Sequence, residues 1–251
     1  MNSFFCCIII LLGDFMYKIA VFADIHANYN ALSVIIDDIN KHSYDRVICL
    51  GDILSKGPSP RECMDAIIDN NIEMVFGNHE GKAQELWLGL VERLPERGGN
   101  LFWCMEQMDE RCKEYILKLG YDIKVNVDGV SLQFTHYPFD HKNKKFFPHC
   151  HMTKGIAKRY FKEYDYDYIF YGHYHYGNYV NLDGKKLYNL DSSGCVEDDT
   201  TFYYIVTIND GKVSVRKKKL KYDRNKLIEK IKKSDTPNKE HLAETFFGIN
   251  L

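Results

Sequence analysis

Lys18-Ile19-Ala20-Val21-Phe22-Ala23-Asp24-Ile25-His26 passes without a break from an apolar run into an Asp-x-His pair. A strand of this composition belongs inside an α/β sheet, buried on both faces. Polar groups at its C-terminal end lie where open α/β sheets carry their sites. The chain then repeats the arrangement. Tyr29 to Asn40 has apolar residues at 31, 32, 35, 36 and 39, a helical period, and Arg46 to Leu50 reads as a second strand that ends in Gly51-Asp52. Pro58 and Pro60 open a helix through about Asp69, and a third strand, Glu73 to Phe76, ends in Gly77-Asn78-His79-Glu80.

Helical stretches are expected over Lys82 to Leu90 and about Leu101 to Leu119, separated by the breaker Pro95-Glu96-Arg97-Gly98-Gly99. Beyond them the period changes. Tyr121 to Val127 and Val130 to Thr135 alternate around Asp128-Gly129, a hairpin signal. A Lys- and aromatic-rich loop (137–151) and a helix near 153–163 follow. Further strands are expected at Tyr168 to Tyr171, Lys186 to Leu190, Phe202 to Ile208 and Lys212 to Lys217, the last two joined by Asn209-Asp210-Gly211. A βαβ half followed by a meandering half predicts two sheets packed face to face with helices outside.

Five motifs stand at strand ends in one order: Asp24-Ile25-His26, Gly51-Asp52, Gly77-Asn78-His79-Glu80, a lone His136, and Gly172-His173-Tyr174-His175. Asp24 and His26 lie two apart, so in a continued strand both side chains would face one way and share an ion. Asp52 offers a carboxylate able to bridge two ions, Asn78 an amide oxygen, and His136, His173 and His175 imidazole nitrogen. Such a mixed set suits manganese, iron or zinc better than calcium or magnesium. Two ions close together lower the pKa of a shared water and clamp a phosphoryl group for in-line displacement, so hydrolysis of a phosphate ester is the expected reaction.

At 251 residues the chain can bury a sizeable core. A net charge of −2 gives no reason to expect a nucleic-acid partner, and 14% aromatic with 27% charged residues excludes disorder. Eight cysteines form no CxxC pair, which reads as free thiols in a reducing cytoplasm. The apolar run Phe4 to Leu12 has no Lys or Arg before it and no small-x-small cleavage site after it. It is also shorter than the roughly 20 residues that span a bilayer, so no membrane partner is expected. Residues 1–15 are therefore read as a translated leader or disordered extension before Met16. Residues 16–251 are read as one domain with a helical tail from about 223 to 251.

The ordered motifs resemble those of the calcineurin-like metallophosphoesterases, whose pattern is D-x-H, G-D, G-N-H-[D/E], H and G-H-x-H, and the match runs from about Lys18 to Val196. The resemblance implies a four-layer α/β/β/α sandwich with two mixed sheets. It implies that Asp24, His26, Asp52 and His175 bind one ion, and that Asp52, Asn78, His136 and His173 bind a second. His79 would protonate the leaving oxygen or steady the transition state. Two divalent cofactors are thus expected, manganese first, with iron, zinc, nickel and magnesium as alternatives.

Departures from the family narrow the substrate. Its protein Ser/Thr phosphatases carry G-D-x-V-D-R-G and an Arg before G-N-H-E, where this chain has Ser55-Lys56 and Phe76. With both planar guanidinium forks missing, phosphoproteins rank below small molecules. Leu190-Asp191-Ser192-Ser193-Gly194-Cys195-Val196 resembles the L-D-T-G-C-V segment of diadenosine tetraphosphatases, which adds dinucleotide polyphosphates to small phosphomonoesters and diesters. Lys56, Asn28 and Lys144 are the expected substrate contacts. Two alternatives stand beside a small-molecule esterase: a protein phosphatase-like activity, and a non-catalytic interaction module of the kind the retromer subunit represents. A module has no need of His79 beside a complete ligand set. A nuclease would want a basic groove, which the charge does not favour.

Several features have plainer readings. Phe146 and Phe147 beside Lys142, Lys144 and Lys145 read as core aromatics under a solvated face, and His149-Cys150-His151 as an exposed loop. The lysines from 212 to 233 fit a strand edge and an exposed helix face, where they discourage edge pairing. Exposed Tyr and Phe leave a homo-oligomer open.

Overall fold

The computed structural model of the chain describes residues 16–92 and 99–251, so the expected leader and most of the breaker lie outside the described residues. Sheet one is built on β1 (Tyr17–Phe22). On one side lie β2 (Arg46–Cys49) and β3 (Glu73–Met74), parallel to it, and on the other the antiparallel pair β11 (Thr200–Asn209) and β12 (Lys212–Lys221). The order is β12-β11-β1-β2-β3. Sheet two contains β4 (Asp122–Val127), β5 (Val130–Thr135), β8 (Tyr168–Tyr171), β10 (Lys185–Asn189) and β9 (Asn178–Leu182), in that spatial order, and it also mixes parallel and antiparallel pairs. β6 (Phe139–Asp140) and β7 (Lys145–Phe146) form a separate small hairpin.

The two-residue period of each strand divides the core into layers. In β1, Ile19 and Val21 face sheet two and meet Leu132, Phe134 and Phe170. Ala20 and Phe22 face the helices α1 (Tyr29–Ile39) and α2 (Pro60–Asp69), whose Leu32, Ile35, Met64 and Ile67 cover that side. In β8, Phe170 faces sheet one, while Ile169 and Tyr171 meet Ala157 and Tyr160 of α6 (Lys154–Tyr160). Helix, sheet, sheet and helix therefore follow one another, the four-layer sandwich with two mixed sheets that the sequence led us to expect. No helix among the described residues is long and apolar enough to cross a membrane.

At the C-terminal end, α7 (Arg224–Lys233) and α8 (Lys239–Phe247) set Leu227, Ile231, Ala243 and Phe247 against Ala31 of α1. The Arg224 guanidinium clips this end in place. It donates to the carbonyls of Val196 (3.1 Å), Asp198 (2.9 Å), Phe247 (2.6 Å) and Gly248 (3.2 Å).

Four expectations need correction. The last strand pair belongs to sheet one, not to the sheet formed by the meander, because β11 pairs with β1. The helix expected over 101–119 is two, α4 (Gly99–Glu106) and α5 (Glu110–Leu117), because Asp109 caps a new start by accepting from Cys112 N at 2.9 Å. Helix α3 (Asn78–Trp87) begins at the Gly-Asn-His-Glu motif itself rather than at Lys82. Strand β9 was not expected. Its hairpin signal is Asp183-Gly184, both at positive φ.

Candidate metal centre

The motifs leave their strands by a backbone turn, not by continued extension. Asp24 (φ 55°), His26 (49°), Asp52 (54°), His173 (72°) and His175 (65°) are all left-handed. The same-face argument for Asp24 and His26 is thereby replaced: they meet because the chain coils after Ala23. Neighbouring strand ends hold this coil, since Asp24 N, His26 N and Ala27 N donate to the carbonyls of Gly51 (3.1 Å), Asp52 (2.9 Å) and Ile53 (2.7 Å). Gly51 sits at φ +88°, and a Cβ there would stand 2.4 Å from Gly77 N, so both the conformation and the space require glycine.

All seven expected ligands and His79 converge. The buried Asp52 lies centrally, its Oδ2 3.7 Å from His26 Nε2, 4.0 Å from His79 Nε2 and 3.4 Å from His136 Nε2. On one side His26 Nε2 is 3.0 Å from His175 Nε2, and Asp24 Oδ1 is 3.9 and 3.7 Å from the same two nitrogens. On the other, His136 Nε2 is 3.1 Å from both Asn78 Oδ1 and His173 Nδ1. Second partners set the tautomers. Nδ1 of His136 donates to Leu50 O (2.8 Å) and Nδ1 of His26 to Leu54 O (3.2 Å), which turns each Nε2 lone pair into the centre.

Burial raises the Asp24 carboxyl to about 7, with Asp52 adding to the rise. Burial pulls the same way on Asp52, but His136, His79 and Lys56 outweigh it and hold that carboxyl well below its usual range. Burial also lowers the imidazoles, His26 far below its ordinary value, His79 to about 4, and His173 and His175 to about 3. The centre therefore gathers carboxyl groups and imidazoles, and Asp52, His26, His79, His136, His173 and His175 fall into groups whose ligating atoms lie within 4.8 Å of one another. Such donors suit transition-metal dications, and the residues present fit the group.

Glu80 carries a structural task that the motif alone did not announce. Its buried carboxylate accepts from Asp52 N (2.8 Å), Leu54 N (2.9 Å) and Gly77 N (2.9 Å), tying the second and third motifs together. Burial pushes it up to about 7.

A cleft of about 560 Å³ opens beside the centre, lined by Lys56, His149, His173, His175, Cys195 and Phe246 among others. Lys56 stands at its inner end, with Nζ 2.9 Å from His26 Nε2 and 4.2 Å above the Phe246 ring. Asn28 does not face the cleft. It is fully buried, its oxygen caps α1 by accepting from Ala31 N (3.1 Å) and its amide donates to Gly194 O (2.8 Å), so both polar atoms are spent. Lys144 is exposed at the turn of the β6–β7 hairpin and does not line the cleft. Beside it, Phe146 packs 5.6 Å from the His136 ring and Phe147 stacks on Tyr160 at 4.4 Å, as expected of aromatics packed under a solvated face. His149, whose ring lies 5.0 Å from that of His173, and Phe246 could not have been placed from the sequence, because both depend on distant docking.

Fold and centre together define a metallophosphoesterase. The chain belongs to the calcineurin-like phosphoesterase superfamily, whose domain model matches residues 17–211, and it is a phosphoester hydrolase of this metal-dependent family. It is 29% identical to the uncharacterized protein MJ0912 of Methanocaldococcus jannaschii over 91% of this chain and 97% of that one. Two among the crystal structures that share its fold match nearly the whole chain. One is a metallophosphoesterase from Sphaerobacter thermophilus, with TM-score 0.70 and 22% identity, covering 90% of this chain and 96% of that one. The other is hypothetical protein PH1004 from Pyrococcus horikoshii OT3, with TM-score 0.73 and 16% identity, covering 94% and 100%.

Proposed function

We propose that the chain, as one domain from residue 16 to 251, hydrolyses a small-molecule phosphate ester with two divalent ions. Asp24, His26, Asp52 and His175 hold the first, and Asp52, Asn78, His136 and His173 the second. The observation that carries this reading is the position of Asp52, whose single carboxylate lies between the ring nitrogens of both groups. When bound, the ions supply Lewis acidity that activates water and offsets the charge of the phosphoryl group. Manganese leads among the ions this donor set suits, with iron, zinc, nickel and magnesium after it.

The chain's own groups do the rest. His79 lies at the rim of the centre, its side chain 23% exposed, where it meets a leaving oxygen as acid or hydrogen-bond donor. Lys56 gives one positive charge toward a phosphate on the cleft side, without the bidentate grip of a guanidinium. A phosphodiester, a phosphomonoester or a dinucleotide polyphosphate fits this arrangement better than a phosphoprotein. The six described cysteines are free, which supports a reducing cytoplasm.

The test is steady-state hydrolysis of p-nitrophenyl phosphate, its bis-ester and diadenosine tetraphosphate by metal-stripped protein, with each ion added back. Metal-dependent turnover is expected, and the preferred ester names the branch. Ion binding without turnover on any of the three favours an interaction module. In His79→Ala, kcat is expected to fall by about 10²–10⁴-fold with bound metal unchanged. A variant as fast as the parent removes the role given to His79.

A further inference from the structure

The segment Asp191 to Cys195 is laced to the two loops that carry Asp24 and His175. Ser192 Oγ donates to Asp24 O (2.7 Å), Ser193 N to Ala23 O (2.9 Å) and Gly194 N to Asp24 O (3.1 Å). Ser192 N also donates to His175 O (3.1 Å), and Asn28 holds the Gly194 carbonyl. Backbone approach here is close: a Cβ at Gly194 would stand 1.9 Å from Ile25 O. Cys195 N then donates to Ser192 Oγ at 2.9 Å. These bonds hold Cys195 against the two segments that carry His26 and His175, and its Sγ lies within 4.8 Å of a ring nitrogen of each. Cys49, Cys63, Cys104 and Cys112 are buried, whereas Cys195 is partly exposed and lines the cleft. The opposite group, Asp52, His136 and His173 with Asn78, contains no sulfur.

We propose that Cys195 is a thiolate ligand of the ion held by His26 and His175, so that the centre takes two unlike ions, zinc or ferrous iron on this side and manganese on the other. The proposal rests on the two-ion reading above. Thiolate selects zinc and iron, whereas carboxylate, amide and imidazole oxygen and nitrogen accept manganese. Ion binding breaks the S–H bond, sulfur keeps the electron pair and shares it with the ion, and the proton leaves to solvent. No oxidant or reductant takes part. The competing role for this side chain is packing alone, since it also touches the cluster formed by α1, α7 and α8. Serine would largely preserve that packing and remove the sulfur.

Metal-stripped full-length protein titrated with cobalt(II) separates the two roles. Visible d–d absorption reports that an ion is bound, and a near-ultraviolet sulfur-to-cobalt charge-transfer band reports a thiolate ligand. Both are expected in the parent. In Cys195→Ser the visible bands should persist, the charge-transfer band should vanish, and one proton fewer should be released on saturation. Loss of outer partners alone costs about 10–100-fold in metal affinity, so zinc affinity is expected to fall at least about tenfold while manganese affinity holds. Visible bands without charge transfer in the parent, or a charge-transfer band that survives the substitution, overturn the thiolate ligand and leave the two-ion reading intact. A parent that binds no cobalt overturns both. Cys195→Ala provides the same comparison should the serine variant not fold.

Discussion

Two sets of residues in this molecule share the left-handed backbone and little else. Asp128, Asp183 and Asp210 adopt it in exposed hairpin turns, each followed by a glycine at positive φ. Asp24, His26, Asp52, His173 and His175 adopt it in loops at the centre, where the side chains are buried or half-buried. A residue with a Cβ costs about 1–2 kcal/mol in this conformation. In the turns the next two residues and the strand twist repay it locally. At the centre the compensation comes from elsewhere in the chain: the Asp24 coil hangs on carbonyls at 51–53, and His173 N donates to Asp24 Oδ2 at 3.0 Å. Strain in a turn is a local property, and strain at the centre belongs to the assembled fold.

The strongest way to break this contrast is Glu80→Ala, which strips the acceptor from three buried backbone N–H groups at once. A loss of at least about 3 kcal/mol in denaturant unfolding is expected, with ion binding lost as well, because each orphaned donor costs about 1–3 kcal/mol. A midpoint that barely moves would show that the loops are held by other means. Gly51→Ala comes next, and is expected to cost more than about 2 kcal/mol, since overpacking adds to the conformational term. Gly129→Ala is the control, with φ +73° but open space around its missing Cβ. It should cost only about 1 kcal/mol and leave hydrolysis untouched. Equal losses at positions 51 and 129 would erase the distinction between the two kinds of site.

What the sequence made legible follows the same division. The apolar run of β1, the period of α1 and the Asp-Gly turn of the β4–β5 hairpin are local patterns, and each marks its element within a residue or two. The residues that converge at the centre were readable because each polar group closes an apolar run. The way those groups meet was not readable, since an Asp-x-His tripeptide carries no sign that it will coil instead of extend. Asn28 misled for a related reason. Asn28 was expected as a substrate contact, but asparagine is also a good helix cap, and in the structure it caps α1. Phe246 over Lys56 depends on α8 docking against a segment far away in sequence, so no local pattern could have announced it.

The pairing of Tyr17 with Ile208 carries a consequence in time. During synthesis β1 and β2 emerge first and can pair at once, bringing Asp24, His26 and Asp52 together while the histidines of sheet two are still unmade. β1 also lies in the middle of its sheet, and its second neighbour, β11, is made after every strand of sheet two. Until β11 arrives, one edge of β1 stays open above a half-built, carboxylate-bearing centre. The nascent chain, not the finished enzyme, is thus the form most exposed to wrong strand partners and to whichever free cation reaches it first.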